Sequence, residues 1–162
     1  MKKKGFTLIE LLIVMLILSI LITIAVVGFG SAVERAKKTA AAQMIQSIKT
    51  ALEEYEQYGG YPIADYPNDA GISLVTDLLC FGSKRFLEVK EKDFVVSKYI
   101  PGKKVIADPW RTPYRYRSAY DEKGNTRSGM RNPDKFDVWS CGPDMKDDYL
   151  NAGKTTDDIG NW

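Results

Sequence analysis

Residues 4–27 read Lys-Gly-Phe-Thr-Leu-Ile-Glu-Leu-Leu-Ile-Val-Met-Leu-Ile-Leu-Ser-Ile-Leu-Ile-Thr-Ile-Ala-Val-Val. About 20 consecutive apolar residues suffice for a helix to cross the hydrocarbon core of a bilayer. A removable signal peptide has a shorter apolar run and a small-residue cleavage site after it. Here Gly28-Phe29-Gly30-Ser31 follows, with no Ala-x-Ala pattern. Charge does not orient a plain anchor, because Lys2, Lys3 and Lys4 on one side face Arg35, Lys37 and Lys38 on the other. Glu10 distinguishes the readings. A carboxylate within a membrane helix costs about 2.5–3.5 kcal/mol on insertion scales, so it calls for a partner. A plain anchor gains nothing from it. A helix that packs beside copies of itself can use it, if a new α-amino group at Phe6 brings a cation to the same depth.

The run Lys4-Gly5-Phe6-Thr7-Leu8-Ile9-Glu10 resembles the leader junction of type IV pilins and type II secretion pseudopilins. The resemblance implies that residues 1–5 are a leader, cut between Gly5 and Phe6 by a membrane-embedded prepilin peptidase. Phe6 would then be N-methylated. Glu10 would become the fifth mature residue, which pairs with the N-terminal amine of a neighbouring subunit during assembly. Val27 departs from the family, where many members carry proline; Gly28 and Gly30 are the residues that could loosen the helix instead.

Working outward, residues 6–30 are expected to form the transmembrane and assembly helix, and residues 31–58 an amphipathic stalk. Val33, Ala36, Ala40, Met44, Ile45, Ile48, Leu52 and Tyr55 recur at three- and four-residue steps, giving one apolar face. Gly59-Gly60 should end the helix and Pro62 should prevent its return. A single helix over that span would be about 80 Å long. The stretch Tyr55 to Pro62 also resembles the family, whose long helix ends near a Tyr-Pro pair.

Composition narrows the chemistry. Lys and Arg total 23 and Asp and Glu 21, with no histidine. The balance shows no basic stripe for nucleic acid. The lack of histidine removes Ser-His-Asp and Cys-His catalysis and His-ligated zinc. Outside the apolar run about 130 residues remain, enough for one modest core. Cys80 and Cys141 are too few for a structural zinc site and, if exported, could form one disulfide.

Residues 59–162 read as a globular domain. Gly71–Phe81 and Ser83–Glu91 could be short helices, and Val95-Val96 is too short a run to assign. Tyr114, Tyr116 and Ala119-Tyr120 read as a strand, Asp121 to Asn125 as a turn, and Phe136 to Ser140 as the next strand. Alternation puts Phe136, Val138 and Ser140 on one face and Asp137 and Trp139 on the other. Packed on the long helix, these antiparallel strands predict an α+β fold. The run Asp108-Pro109-Trp110-x-x-Pro113-Tyr114-x-Tyr116 resembles the major type II secretion pseudopilin, with Arg111 in place of the usual glycine.

Asp144, Asp147, Asp148, Asp157 and Asp158 crowd residues 140–162, which show no secondary-structure pattern. Charge alone favours a solvated acidic loop. Oxygen ligands on a turn-rich loop also suit calcium. Phe136 to Asp144 and Asp157 to Trp162 resemble the calcium loop of the major pseudopilin. The resemblance implies side-chain ligands from Ser140, Asp144, Asp157 and Asp158 and backbone carbonyls from Cys141 and Lys146. Where the family often has Asp-Gly, this chain has Asp144-Met145. As a whole it implies a major pseudopilin: anchored in the inner membrane with a periplasmic domain, and polymerising with itself into a periplasmic filament. Its partners would be the prepilin peptidase, the inner-membrane platform and minor pseudopilins. A type IV pilin for adhesion, motility or DNA uptake is the alternative. A membrane-anchored enzyme fits less well, since the carboxylates sit in one terminal loop and not across a cleft.

Overall fold

A computed structural model describes residues 5–65, 69–151 and 156–162, and for 25–28 the backbone alone. Met1 to Lys4 of the expected leader and Lys154 of the acidic tail lie outside the described residues. One helix, α1, runs from Leu8 to Gly59, passing through Gly28 and Gly30 without a break. Its apolar portion is long enough to cross a membrane by length and composition, and its most apolar 18-residue window is wholly exposed. Gly60 stops the helix in the left-handed region, at φ 83°, with its N–H on the Glu56 carbonyl at 2.9 Å. A glycine there closes the last turn without a Cβ penalty.

The chain divides into two compact units, Met1–Ala36 and Lys37–Trp162. In the second, α1 buries Ala41, Ile45, Ile48, Ala51 and Leu52, a three- and four-residue spacing. These residues meet a second helix, α2 (Ala70–Cys80), through Ile72, Val75 and Leu79. Strands β1 (Phe94–Val96) and β2 (Lys104–Ile106) form an antiparallel pair, contributing Phe94, Val105 and Ile106. Strands β3 (Arg115–Ser118), β4 (Phe136–Ser140) and β5 (Ile159–Gly160) form an antiparallel sheet in that order. This is the expected α+β arrangement of a long N-terminal helix packed on small antiparallel sheets.

One local expectation is corrected. Residues 83–90 are not a helix; a 3-10 turn follows at Glu91–Asp93. The Phe86 and Leu87 N–H groups both donate to the Leu79 carbonyl, which turns the chain sharply after α2. Phe86 then lies edge-on to Tyr55 and Tyr58, with centroids 5.4 and 5.5 Å away. Tertiary aromatic packing outweighs the weak local helix propensity. Both faces of β4 are covered, since all five of its residues are buried.

The C-terminal segment covers that second face. The Tyr149 ring stacks on Trp139 at 4.2 Å and 16°, and its hydroxyl donates to Asp137 Oδ2 at 2.5 Å. Asp137 also accepts the N–H groups of Arg131 and Asn132 at 2.8 and 2.9 Å.

Candidate functional site

At the N-terminus, residues 5–7 have no regular structure and Phe6 is 79% exposed, so the Gly5–Phe6 bond lies open just ahead of α1. Thr7 is the residue before the helix and Glu10 is its third residue, which is the spacing of a capping box. Thr7 N–H and Oγ1–H donate to Glu10 Oε2 at 2.9 and 2.7 Å, and Glu10 N–H donates to Thr7 Oγ1 at 3.4 Å. The Glu10 carboxylate therefore already has a partner within its own chain. The Thr-x-x-Glu signature was present in the sequence and carries this second role.

At the other end, strand pairing builds the acidic site. Ser140 pairs with Ile159 across β4 and β5. Continuing that antiparallel register brings Asp157 opposite Gly142. The approach is close enough that a Cβ on Gly142 would lie 2.4 Å from the Asp157 carbonyl oxygen, and Gly142 has φ 67°. Met145, at φ 59°, closes the turn with its N–H on the Gly142 carbonyl at 3.2 Å. That turn sets Asp144 beside Asp157, with Asp144 N–H on Asp157 Oδ2 at 3.1 Å. Lys146 N–H donates to Asp144 Oδ1 at 2.8 Å.

The structure groups Asp144 and Asp157 with Asp148: one carboxylate oxygen from each lies within 4.8 Å of the others. Asp158 reaches the group through its Oδ2, which accepts Asp148 N–H at 3.1 Å, while its Oδ1 is buried with no hydrogen-bond partner. Burial first, then the neighbouring Asp147 charge, pushes the Asp158 carboxyl up to about 7. Ser140 points elsewhere. Its hydroxyl donates to buried Asp108 Oδ2 at 2.6 Å and accepts Gly142 N–H at 3.0 Å. Asp108 also accepts Trp110 N–H and Thr112 N–H at 3.0 and 2.9 Å, so it shapes the Asp-Pro-Trp turn. Asp147 turns away from the group: its Oδ1 accepts Trp139 Nε1–H and Tyr149 N–H, both at 3.2 Å, and Oδ2 lies 3.7 Å from Arg115 Nε.

These donors suit a hard divalent cation. All are oxygens, three carboxylates can contact one ion, and the unpaired Asp158 Oδ1 is a buried polar atom of the kind a cation would satisfy. Cys141 sits in this loop but is buried, and burial with the Asp147 charge pushes its thiol up to about 12. The Cys80 thiol is pushed up to about 11 by burial in the core at the end of α2. The sequence left a Cys80–Cys141 disulfide open; the structure carries two free buried thiols. Their surroundings differ, Cys80 packing with Leu79 and Leu87 and Cys141 lying beside Arg115 and Asp147.

Residues 1–26 match the model of the prokaryotic N-terminal methylation motif. Residues 29–162 match the model described as type II secretion system protein G. The chain is 31% identical to the type II secretion system core protein G of Pseudomonas aeruginosa, over 99% of this chain and 96% of that one. It is 28% identical to the protein of the same name from Vibrio cholerae, over 99% and 92%. Fimbrial protein EcpB of Eikenella corrodens is 39% identical, but over 44% of each chain.

Proposed function

Since the chain belongs to the type II secretion system protein G family, we propose that it is a major pseudopilin, a structural subunit that polymerises into the filament of a type II secretion machine. The carrying observation is that the methylation motif and the protein G model match adjoining segments that together span almost the whole chain. Its work is mechanical and not catalytic. The apolar part of α1 anchors the subunit in the inner membrane and later packs among the same helices of other subunits, while residues 59–162 face the periplasm. The partners of this reading are the prepilin peptidase, the inner-membrane platform and minor pseudopilins. The pilin alternative draws on the EcpB likeness, which spans less than half of either chain, whereas the full-length relatives are core protein G.

Processing is the first step and its site is open. Gly5 and Phe6 lie outside the helix, so a peptidase needs to unwind nothing to reach the bond. Intact-mass measurement of the mature protein is expected to show loss of Met1 to Gly5 and gain of one methyl group. A mature N-terminus beyond Ser31 would mean an ordinary signal peptide and would overturn the assignment.

The acidic loop is assigned to calcium. Asp144 and Asp157 would hold the ion, and the crowded carboxylates with the unpaired Asp158 Oδ1 support that reading. When bound, calcium supplies a fixed positive charge that ties the turn after β4 to the segment before β5. The chain's own part is to preform the cradle: Gly142 admits the Asp157 carbonyl, and Met145 closes the turn beneath Asp144.

A further inference from the structure

Asp148 stands outside the ligand set implied by the resemblance, yet it shares the cluster with Asp144 and Asp157. Calcium takes its oxygens at about 2.3–2.6 Å, so two ligands of one ion are at most about 4.6–5.2 Å apart. Three carboxylate oxygens lying within 4.8 Å of one another meet that limit together. The loop also holds Asp148 in place from three directions. Its N–H donates to Asp158 Oδ2 at 3.1 Å, Asn151 Nδ2 donates to its Oδ1 at 2.6 Å, and Asn151 N–H donates to its carbonyl at 2.8 Å. An oriented carboxylate loses less side-chain freedom on binding than a mobile one.

The neighbours are differently committed. Ser140 spends its proton on Asp108 and accepts Gly142 N–H, so its hydroxyl belongs to the base of the Asp-Pro-Trp turn. Asp147 serves Trp139, Tyr149 and Arg115. Resting on the calcium reading of this loop, we propose that Asp148 is a direct calcium ligand alongside Asp144 and Asp157, and that the Ser140 hydroxyl takes no part.

The test uses the full chain in detergent, stripped with chelator and titrated with terbium and with calcium. Trp139 and Tyr149 are buried and bond Asp147 of the loop, so they should sensitise emission from terbium bound there. Luminescence lifetimes in light and heavy water count the waters on the bound ion. Asp148→Ala is expected to add about one bound water and to weaken calcium by roughly tenfold or more, since ligand charge count tunes affinity. Asp148→Asn, which keeps an oxygen, should weaken calcium without adding a water. Asp147→Asn removes the same charge one residue away and should leave the water count unchanged. If the unmutated chain binds neither ion at millimolar concentration, the calcium reading itself fails. If it binds, and Asp148→Ala alters neither water count nor affinity, the ion sits in the loop without Asp148 and this proposal alone is overturned.

Discussion

Met145 and Arg111 are the non-glycine residues at positive φ among the described residues, at 59° and 69°. By the resemblance, Arg111 replaces the family's usual glycine and Met145 stands where the family often has one. A left-handed backbone costs an L-residue roughly 1–2 kcal/mol, which glycine avoids. Glycine gives back about 0.4–1 kcal/mol through the freedom it adds to the unfolded chain. The Met145 side chain is 57% exposed, so little packing is lost on its removal. Met145→Gly should therefore stabilise the chain by about 0.5–1 kcal/mol. Met145→Ala retains the backbone penalty and should lie within about 0.5 kcal/mol of the unmutated chain. Arg111→Gly gains the same relief but loses the bond from Arg111 Nη1 to the Lys92 carbonyl, worth about 1 kcal/mol, and should be close to neutral.

Thermal unfolding of the three variants in calcium-free buffer reads these differences. For a folded unit of this size, 1 kcal/mol corresponds to a melting shift of roughly 3–5 °C. Met145→Gly should melt about 2–4 °C above Met145→Ala. The Gly-minus-Ala difference is the informative quantity, because both variants remove the same side-chain contacts. If Met145→Gly melts at or below Met145→Ala, the turn beneath Asp144 is not left-handed, and the account of how the cradle is preformed is wrong.

Glu10→Gln keeps the capping-box geometry while removing the charge, so it should leave α1 capped yet assemble poorly; if its cross-linked filament ladder matches that of the unmutated chain, capping and not inter-subunit pairing explains the residue. For the cysteines, burial raises both thiols, to about 11 and about 12, so at pH 8 the thiolate is scarce and alkylation of the folded protein should be slow, rising only toward the raised values. Unfolding should release two reactive thiols, and a mass two hydrogens lower with no thiol released would show that the cysteines had paired.

Much of this architecture is written in periodicity. The membrane segment, the stalk face through Ile45, Ile48 and Leu52, and the strand at Phe136 to Ser140 were all legible, because each repeats an apolar pattern over several turns or pleats. The 83–90 segment was not, because Phe86 is placed by two tyrosines some 30 residues earlier in the chain. Strand β5 was not, because two residues carry no period; only its pairing with β4 makes it a strand. That pairing is also what selects among the aspartates. Five acidic residues in one tail look alike in sequence, but register sets Asp157 opposite Gly142 while the indole of Trp139 claims Asp147. The Glu10 cap is readable from Thr-x-x-Glu, but a carboxylate inside an apolar run signals its cost in lipid more loudly than its bond to its own helix terminus.

The acidic loop is also the second wall of the sheet. Trp139 and Asp137 are fully buried, and Tyr149 supplies a stacked ring to one and a hydroxyl to the other. Tyr149 follows Asp147 and Asp148 directly, so a cation held by the loop would fix the residue that covers β4. Loss of such an ion would leave the carboxylates to repel one another and loosen that cover. An exposed Trp139 and an Asp137 stripped of its tyrosine partner would then add their own desolvation terms to the cost. Binding to the folded form contributes about 2.7 kcal/mol at a hundredfold excess of ion over Kd. That is a substantial part of the 5–15 kcal/mol typical of a folded domain. The tail would then do more than hold a metal: it would make the integrity of the three-stranded sheet depend on the ion concentration outside the membrane.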